Sequence, residues 1–254
     1  GKSIPELQEA LPKLAHEPLP EATFWLLLTG EVPSESQVAE FQKDLQSREE
    51  LPKDTEELVR SIAKTQHPMT ALSIGIMHLQ KHSKFMHAYG NQQVKKGDYW
   101  DPIFEDSLDL IAKLPRLAAL IYTEKYGKKP AEATSSDWAG RYSELMGFDS
   151  PVMKELLRGY LSIHSDHEGG NVSAHTNYLV GSALSDPYLS FSAALNGLAG
   201  PLHGLANQEV LRFLLTLDED LRSKRVPITY AEDPSLQHSV SNFVNNWLKS
   251  GVVP

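Results

Sequence analysis

The stretch IHSDHEGGNVSAHT, residues 163–176, concentrates proton-carrying side chains on both sides of two consecutive glycines. One hypothesis is a metal site, because His164, His167 and His175 offer nitrogen ligands and the two carboxylates offer oxygen ligands. Their spacing differs from the zinc hydrolase motif, in which two histidines lie four residues apart on a helix with a glutamate between them. A second hypothesis is that these histidines are buried, cap helix ends and bond to the backbone. The sequence predicts no metal site.

The third hypothesis for this stretch is a site for an anion or a keto acid. Gly169 and Gly170 predict the end of the helix that carries His167, because glycine adopts the left-handed conformation that turns the chain there. Asn171 and Ser173 then begin the next helix, whose free N–H groups favour an anion. Both ring nitrogens of a histidinium can also donate to a carboxylate.

A second cluster, GLAGPLHGLANQEV at residues 197–210, places His203 between Leu202 and Gly204. An imidazole flanked by small residues at a helix junction can approach a ligand closely. The alternative is a histidine that packs at a tight corner. Both interpretations remain open on the residues alone.

Composition excludes several classes of protein. The 254 residues carry a formal net charge of −9 without any block of Lys or Arg, so we expect no nucleic-acid partner. The chain has no cysteine, which excludes disulfides and thiolate ligands. No apolar run approaches the ~20 residues that span a bilayer. Residues 1–13 lack the apolar core of a secretory signal.

The elements that must position these clusters are predicted to be helices. Val38, Phe41 and Leu45 recur at helical spacing, and the same pattern runs through residues 105–126. No segment alternates with period two between turn signals. The sequence therefore predicts an all-α fold. Helix starts are expected where a capping side chain or a proline occurs, at Ser34, Pro68, Pro151 and Pro187.

Two segments have a special composition. Pro115 lies inside a helical pattern and predicts either two helices or one bent helix, because proline lacks the N–H that the helix needs. Residues 187–199 are rich in small residues and carry no charge. We expect this second segment in the interior or at a subunit interface.

Residues 163–176 and 181–210 together resemble citrate synthases of the eukaryotic mitochondrial type, closely and without gaps. The stretches EPLPEATFWLLLTGEVP (17–33), HPMTALS (67–73) and YWDPIFEDSLDLIAKLP (99–115) are similar to earlier helices of that family, in the same order. The resemblance covers essentially the whole chain. It implies a multi-helical fold with a large and a small helical domain.

In this chain, the resemblance implies a large domain at residues 1–204, with the oxaloacetate site and the dimer interface. It implies the start of the small domain at residues 205–254. The family's G-Y-G-H motif, base aspartate and substrate-binding arginines are expected after Pro254. The resemblance therefore also implies that the chain is incomplete at both ends.

Site residues follow from the resemblance position by position. His203 matches the catalytic histidine, which donates a hydrogen bond to the thioester carbonyl of acetyl-CoA. His167 and Asn171 match residues that bind oxaloacetate, and Ser173 is expected to orient His203. The other two histidines of the first cluster are expected to be structural.

A few further residues are expected close to coenzyme A by the same resemblance. They are Leu202, Val252 and Val253.

The implied reaction condenses acetyl-CoA with oxaloacetate and water to give citrate and CoA. The implied partners are these two substrates and a second copy of the chain, with no metal and no cofactor other than acetyl-CoA as substrate. The implied location is the mitochondrial matrix. Two alternatives stay open: a 2-methylcitrate synthase that uses propionyl-CoA, and an inactive relative with a structural role.

Overall fold

A computed structural model of the chain describes residues 1–165, 169–228 and 233–251. These residues form helices joined by turns, and the β-type pairing found among them is an isolated bridge between Lys13 and Pro18. The predicted all-α fold is confirmed. The helices are α1 (Ile4–Ala10), α2 (Pro20–Thr29), α3 (Glu35–Arg48), α4 (Lys53–Ala63), α5 (Pro68–Leu79), α6 (Lys84–Gly90), α7 (Trp100–Tyr126), α8 (Trp138–Leu145), α9 (Pro151–His164), α10 (Val172–Gly181), α11 (Pro187–Leu198), α12 (Ala206–Ser223) and α13 (Pro234–Lys249).

The predicted helix starts are confirmed. The Ser34 hydroxyl accepts the backbone N–H of Gln37 at 3.3 Å and caps α3. Helices α5 and α9 begin at Pro68 and Pro151, where the missing N–H of proline costs nothing. Asp186 precedes Pro187, the first residue of α11, and its Oδ1 atom accepts the backbone N–H of Leu189 at 3.1 Å. Local capping chemistry therefore sets these boundaries.

The chain divides into two compact units, Gly1–Asn196 and Gly197–Pro254. In the first unit, α7 packs against α3, α4, α5, α6 and α8. A Cβ atom built on Gly75 of α5 would lie 3.0 Å from Leu117 Cδ1 of α7, so glycine permits the close approach of these two helices. The predicted domain boundary between residues 204 and 205 lies inside the second unit and stays a prediction.

Pro115 does not break its helix, because α7 runs as one helix from Trp100 to Tyr126. The two-helix alternative is therefore wrong. Proline at position 115 cannot donate to the carbonyl of Ile111, four residues earlier. That carbonyl instead accepts the indole N–H of Trp138 at 2.9 Å. A side chain from α8 thus supplies the hydrogen bond that the helix lacks.

Helix α11 is partly buried, as its small residues predict. Tyr188, Ser190 and Ser192 are nearly inaccessible. The hydroxyl of Ser192 lies 2.8 Å from that of Ser73 on α5, so the two helices are joined by a buried polar contact. The interior placement is confirmed, and the role at a subunit interface stays a prediction.

The second unit contains α12 and α13, which pack through three aromatic rings. The Phe213 ring lies 5.3 Å from Trp247 and 5.6 Å from Phe243, measured between centroids. In the part of the chain that the structure describes, no helix is both long and apolar enough to cross a membrane.

Candidate active site

Asn171 begins α10, as predicted, and its side chain forms the cap. Its Oδ1 atom accepts the backbone N–H of Ala174 at 3.0 Å and the hydroxyl of Ser173 at 2.7 Å. The structure therefore brings Asn171 and Ser173 together at the first turn of α10. The positive end of the helix dipole at such a turn favours an anionic group.

The expected role of Gly169 and Gly170 is wrong in its detail. Helix α9 ends at His164, before the glycines. A Cβ atom on Gly169 would instead lie 3.1 Å from Cε2 of Tyr178 on α10. At Gly169, glycine permits the close approach of an aromatic side chain.

His203 lies in the turn between α11 and α12. Its backbone N–H donates to the Gly200 carbonyl at 3.0 Å, and its own carbonyl accepts from Ala206 at 3.1 Å. A Cβ atom on Gly204 would lie 2.7 Å from the carbonyl oxygen of Leu198, so any other residue would open this turn. The sequence indicated a glycine beside His203, and the structure shows why glycine is needed at position 204: the turn leaves no room for a Cβ atom.

Leu202, the residue before His203, is fully exposed. Its expected place near coenzyme A stays a prediction, and so does the orienting role of Ser173 towards His203. Ser173 belongs to the first compact unit and His203 to the second.

His164 has the contacts of a structural residue. Its Nδ1–H donates to the carbonyl of Tyr160 at 2.8 Å, and its ring stacks on the Tyr160 ring at 4.1 Å between centroids. His175 has an exposed side chain, and its backbone N–H donates to the Asn171 carbonyl at 2.9 Å. This geometry supports the expected structural role of His164.

His167, Val252 and Val253 lie outside the described residues, and their predicted roles stay predictions. Asp166 and Glu168, the two carboxylates of the first cluster, lie outside them as well. Within the described ranges, no group of three potential metal ligands comes together.

The sequence analysis missed the polar groups at the start of α8. Asp137 caps this helix by accepting the Gly140 N–H at 2.9 Å, and it pairs with Arg158 of α9. Glu21 of α2 accepts the Trp138 N–H at 2.6 Å. Burial raises the pKa of Glu21 to about 7, with a further contribution from the charge of Asp137. Only the cap was visible locally, as an Asp before a helical segment.

These observations define an all-α protein of two helical units, with Asn171 and Ser173 at the start of α10 and His203 in the turn before α12. The family described as "Citrate synthase, C-terminal domain" matches residues 1–253. The chain belongs to the citrate synthase family, so the resemblance inferred from the sequence is confirmed.

Similar curated proteins agree. The chain is 53% identical over 234 residues to "Citrate synthase, mitochondrial" of Tetrahymena thermophila, covering 88% of this chain and 51% of that protein. It is 52% identical over 226 residues to the protein of the same name from Saccharomyces cerevisiae, covering 87% of this chain and 47% of that protein. The chain therefore spans about half the length of the curated relatives it matches.

Two solved structures show the same fold. The citrate synthase of Pyrobaculum aerophilum gives a TM-score of 0.69 at 24% identity, covering 92% of this chain and 62% of that chain. The citrate synthase of Thermoplasma acidophilum, in a ternary complex with carboxymethyl coenzyme A and oxaloacetate, gives 0.70 at 18% identity, covering 92% of this chain and 55% of that chain. At these identities the likeness concerns the fold alone.

Proposed function

We propose that the protein condenses acetyl-CoA with oxaloacetate and water to give citrate and CoA. The observation that carries the proposal is about 50% identity with proteins named mitochondrial citrate synthase. One of these matches, to the protein of Glossina morsitans morsitans, covers 100% of this chain. It therefore includes the turns that hold Asn171 and His203.

The proposed chemistry assigns a task to each of the two turns. The His203 imidazole N–H donates to the thioester carbonyl oxygen while a carboxylate base, an aspartate by resemblance to the family, takes a methyl proton, because negative charge builds on that oxygen. The resulting carbon nucleophile attacks the keto carbon of oxaloacetate, whose oxygen takes up a proton. Water then hydrolyses the thioester, which adds OH to the acyl carbon and releases CoA as the thiol. His167, Asn171 and the first turn of α10 hold the oxaloacetate carboxylates.

The test measures release of free CoA from acetyl-CoA, with and without oxaloacetate, and with propionyl-CoA in parallel. The proposal expects release that requires oxaloacetate and is faster with acetyl-CoA. His203→Ala should lower kcat roughly 10²–10³-fold and leave oxaloacetate affinity nearly unchanged. His238→Ala, an exposed histidine on α13, is the matched control and should keep wild-type kcat. An unchanged kcat in His203→Ala would refute the assignment.

The other outcomes separate the alternatives. Faster release from propionyl-CoA would identify a 2-methylcitrate synthase. No release from either thioester would indicate a structural subunit.

We also propose a homodimer and a location in the mitochondrial matrix. The dimer is supported by the family and by the small residues of α11, and light scattering on the purified protein tests it. The location is supported by relatives named as mitochondrial. Fractionation of cells that express the natural protein tests it.

A further inference from the structure

Helix α9, which precedes the cluster at residues 163–176, buries two polar side chains more completely than its apolar ones. Its buried residues are Arg158 and Ser162. Its apolar residues Val152, Leu156 and Tyr160 are 78%, 63% and 51% exposed. Met153, Leu157 and Leu161 are half-buried on the same side of the helix. Because apolar contacts are not directional, the polar contacts of Arg158 add a constraint on the rotation of α9.

The guanidinium of Arg158 makes a two-pronged contact with Asp137. Nε–H donates to Oδ1 at 3.0 Å and Nη2–H donates to Oδ2 at 2.7 Å. Asp137 is fully buried and also accepts the Gly140 N–H that begins α8. Because two parallel hydrogen bonds fix direction as well as distance, the pair sets the rotation of α9 relative to α8.

The third prong of Arg158 reaches Glu155, whose other oxygen holds the segment before α2. Nη1–H donates to Oε1 of Glu155 at 2.6 Å. Oε2 of Glu155 accepts the backbone N–H groups of His16 and Glu17 at 3.1 and 3.0 Å. A Cβ atom on Gly159 would lie 3.2 Å from Cδ of Glu17, so α9 lies directly against this segment.

Because Arg158 and His164 belong to the same helix, a rotation or shift of α9 at Arg158 also moves the end of the helix. His164, the last residue of α9, lies roughly 9 Å further along the helix axis at 1.5 Å for each residue. The chain then continues to His167 and Asn171. We propose that Arg158, acting through Asp137 and Glu155, is a positioning residue for the oxaloacetate site. This inference rests on the function proposed above.

Stability alone is a poor explanation for the buried pair. Removing two charges from water is costly, and well-packed apolar residues of similar volume often replace a buried ion pair without loss of stability. An apolar replacement cannot supply the two parallel hydrogen bonds of the Arg158–Asp137 pair, which fix direction. A site must be held within about 0.5 Å of its productive geometry, which a directional contact achieves.

The test compares Arg158→Lys with Arg48→Lys. Lysine keeps the positive charge but cannot make the two parallel hydrogen bonds that the guanidinium makes. Arg48 is a matched control: it lies on α3 and donates to Glu105 and Asp109 of α7 at 2.8 and 2.9 Å. Calorimetry measures the oxaloacetate Kd well below the unfolding temperature of each variant. We expect the oxaloacetate Kd to rise roughly 10-fold in Arg158→Lys and to stay at the wild-type value in Arg48→Lys. In both variants, kcat at saturating oxaloacetate should change little.

Glu155→Gln provides a second, milder variant if Arg158→Lys does not fold. This substitution weakens the contact between Arg158 and residue 155, and the oxaloacetate Kd should rise by a smaller factor than in Arg158→Lys. An oxaloacetate Kd equal to that of wild type in every folded variant would overturn the inference alone. Wild-type protein that does not bind oxaloacetate would overturn the proposed function and the inference with it.

Discussion

Replacement of Glu21 by glutamine is expected to remove a pH-dependent loss of stability. The side chain is 3% exposed. Its Oε1 atom accepts the Trp138 N–H at 2.6 Å, and its Oε2 atom is buried, as is Nε2 of Gln42. Burial, assisted by the charge of Asp137, raises the pKa of Glu21 from 4.5 to about 7. The folded protein therefore holds a proton on Glu21 that the unfolded chain releases.

The sign of the effect follows from proton linkage. Between pH 4.5 and about 7, the folded state binds one more proton at Glu21 than the unfolded state, so stability falls as pH rises. Above pH 7 both states are ionised, and the loss is complete. At about 1.4 kcal/mol for each unit of pKa, the full loss is about 3 kcal/mol. Between pH 5 and pH 8 it amounts to about 2.5 kcal/mol.

Urea unfolding of wild type and Glu21→Gln at pH 5 and pH 8 measures this loss. Glutamine keeps an acceptor for Trp138 and cannot ionise. The stability of the variant relative to wild type should therefore increase by about 2.5 kcal/mol from pH 5 to pH 8. Glu31→Gln, an exposed glutamate just after α2, is the control and should follow the wild-type pH profile. Parallel pH profiles of wild type and Glu21→Gln would refute the reasoning.

Two further predictions concern the helices themselves. Trp138→Phe removes the donor to the Ile111 carbonyl that Pro115 leaves unpaired, and it should cost about 1–3 kcal/mol in urea unfolding; a loss within error would contradict this. Arg225 lies two residues after the end of α12 and has a φ of 54°, so Arg225→Gly should stabilise the protein by about 1 kcal/mol, measured as a higher unfolding midpoint. A lower midpoint would show that the Arg225 side chain makes a contact worth more than the backbone strain.

Local signals in the sequence were sufficient for the helices and their starts. Ser34 and the prolines at positions 68, 151 and 187 act on the hydrogen bonds of their own first turn, so the neighbouring residues decide the outcome. Asn171 belongs to this class, because its cap involves only residues of the same turn. The start of the helix at the candidate site was therefore predictable.

Contacts between distant segments explain why the two-helix alternative at Pro115 and the expected helix end at Gly169 were wrong. The carbonyl that Pro115 leaves without a helix partner accepts from Trp138, which no local pattern connects with it. The geometry of Gly169 depends on Tyr178 of the following helix rather than on the end of the preceding one. Glycine and proline determine which backbone conformations are allowed, and contacts with distant residues determine which of these the chain adopts.

Arg158 shows why the groups that support a site are harder to predict than the site itself. Val152, Leu156 and Tyr160 recur at helical spacing, yet they are exposed, whereas the charged Arg158 is buried. Arg158 becomes a buried residue only because Asp137, 21 positions earlier, lies where both carboxylate oxygens meet the guanidinium. Residues that bind a ligand can be recognised by their chemistry, whereas residues that hold the binding helix are recognised by their partner. The partner is known only once the chain is folded.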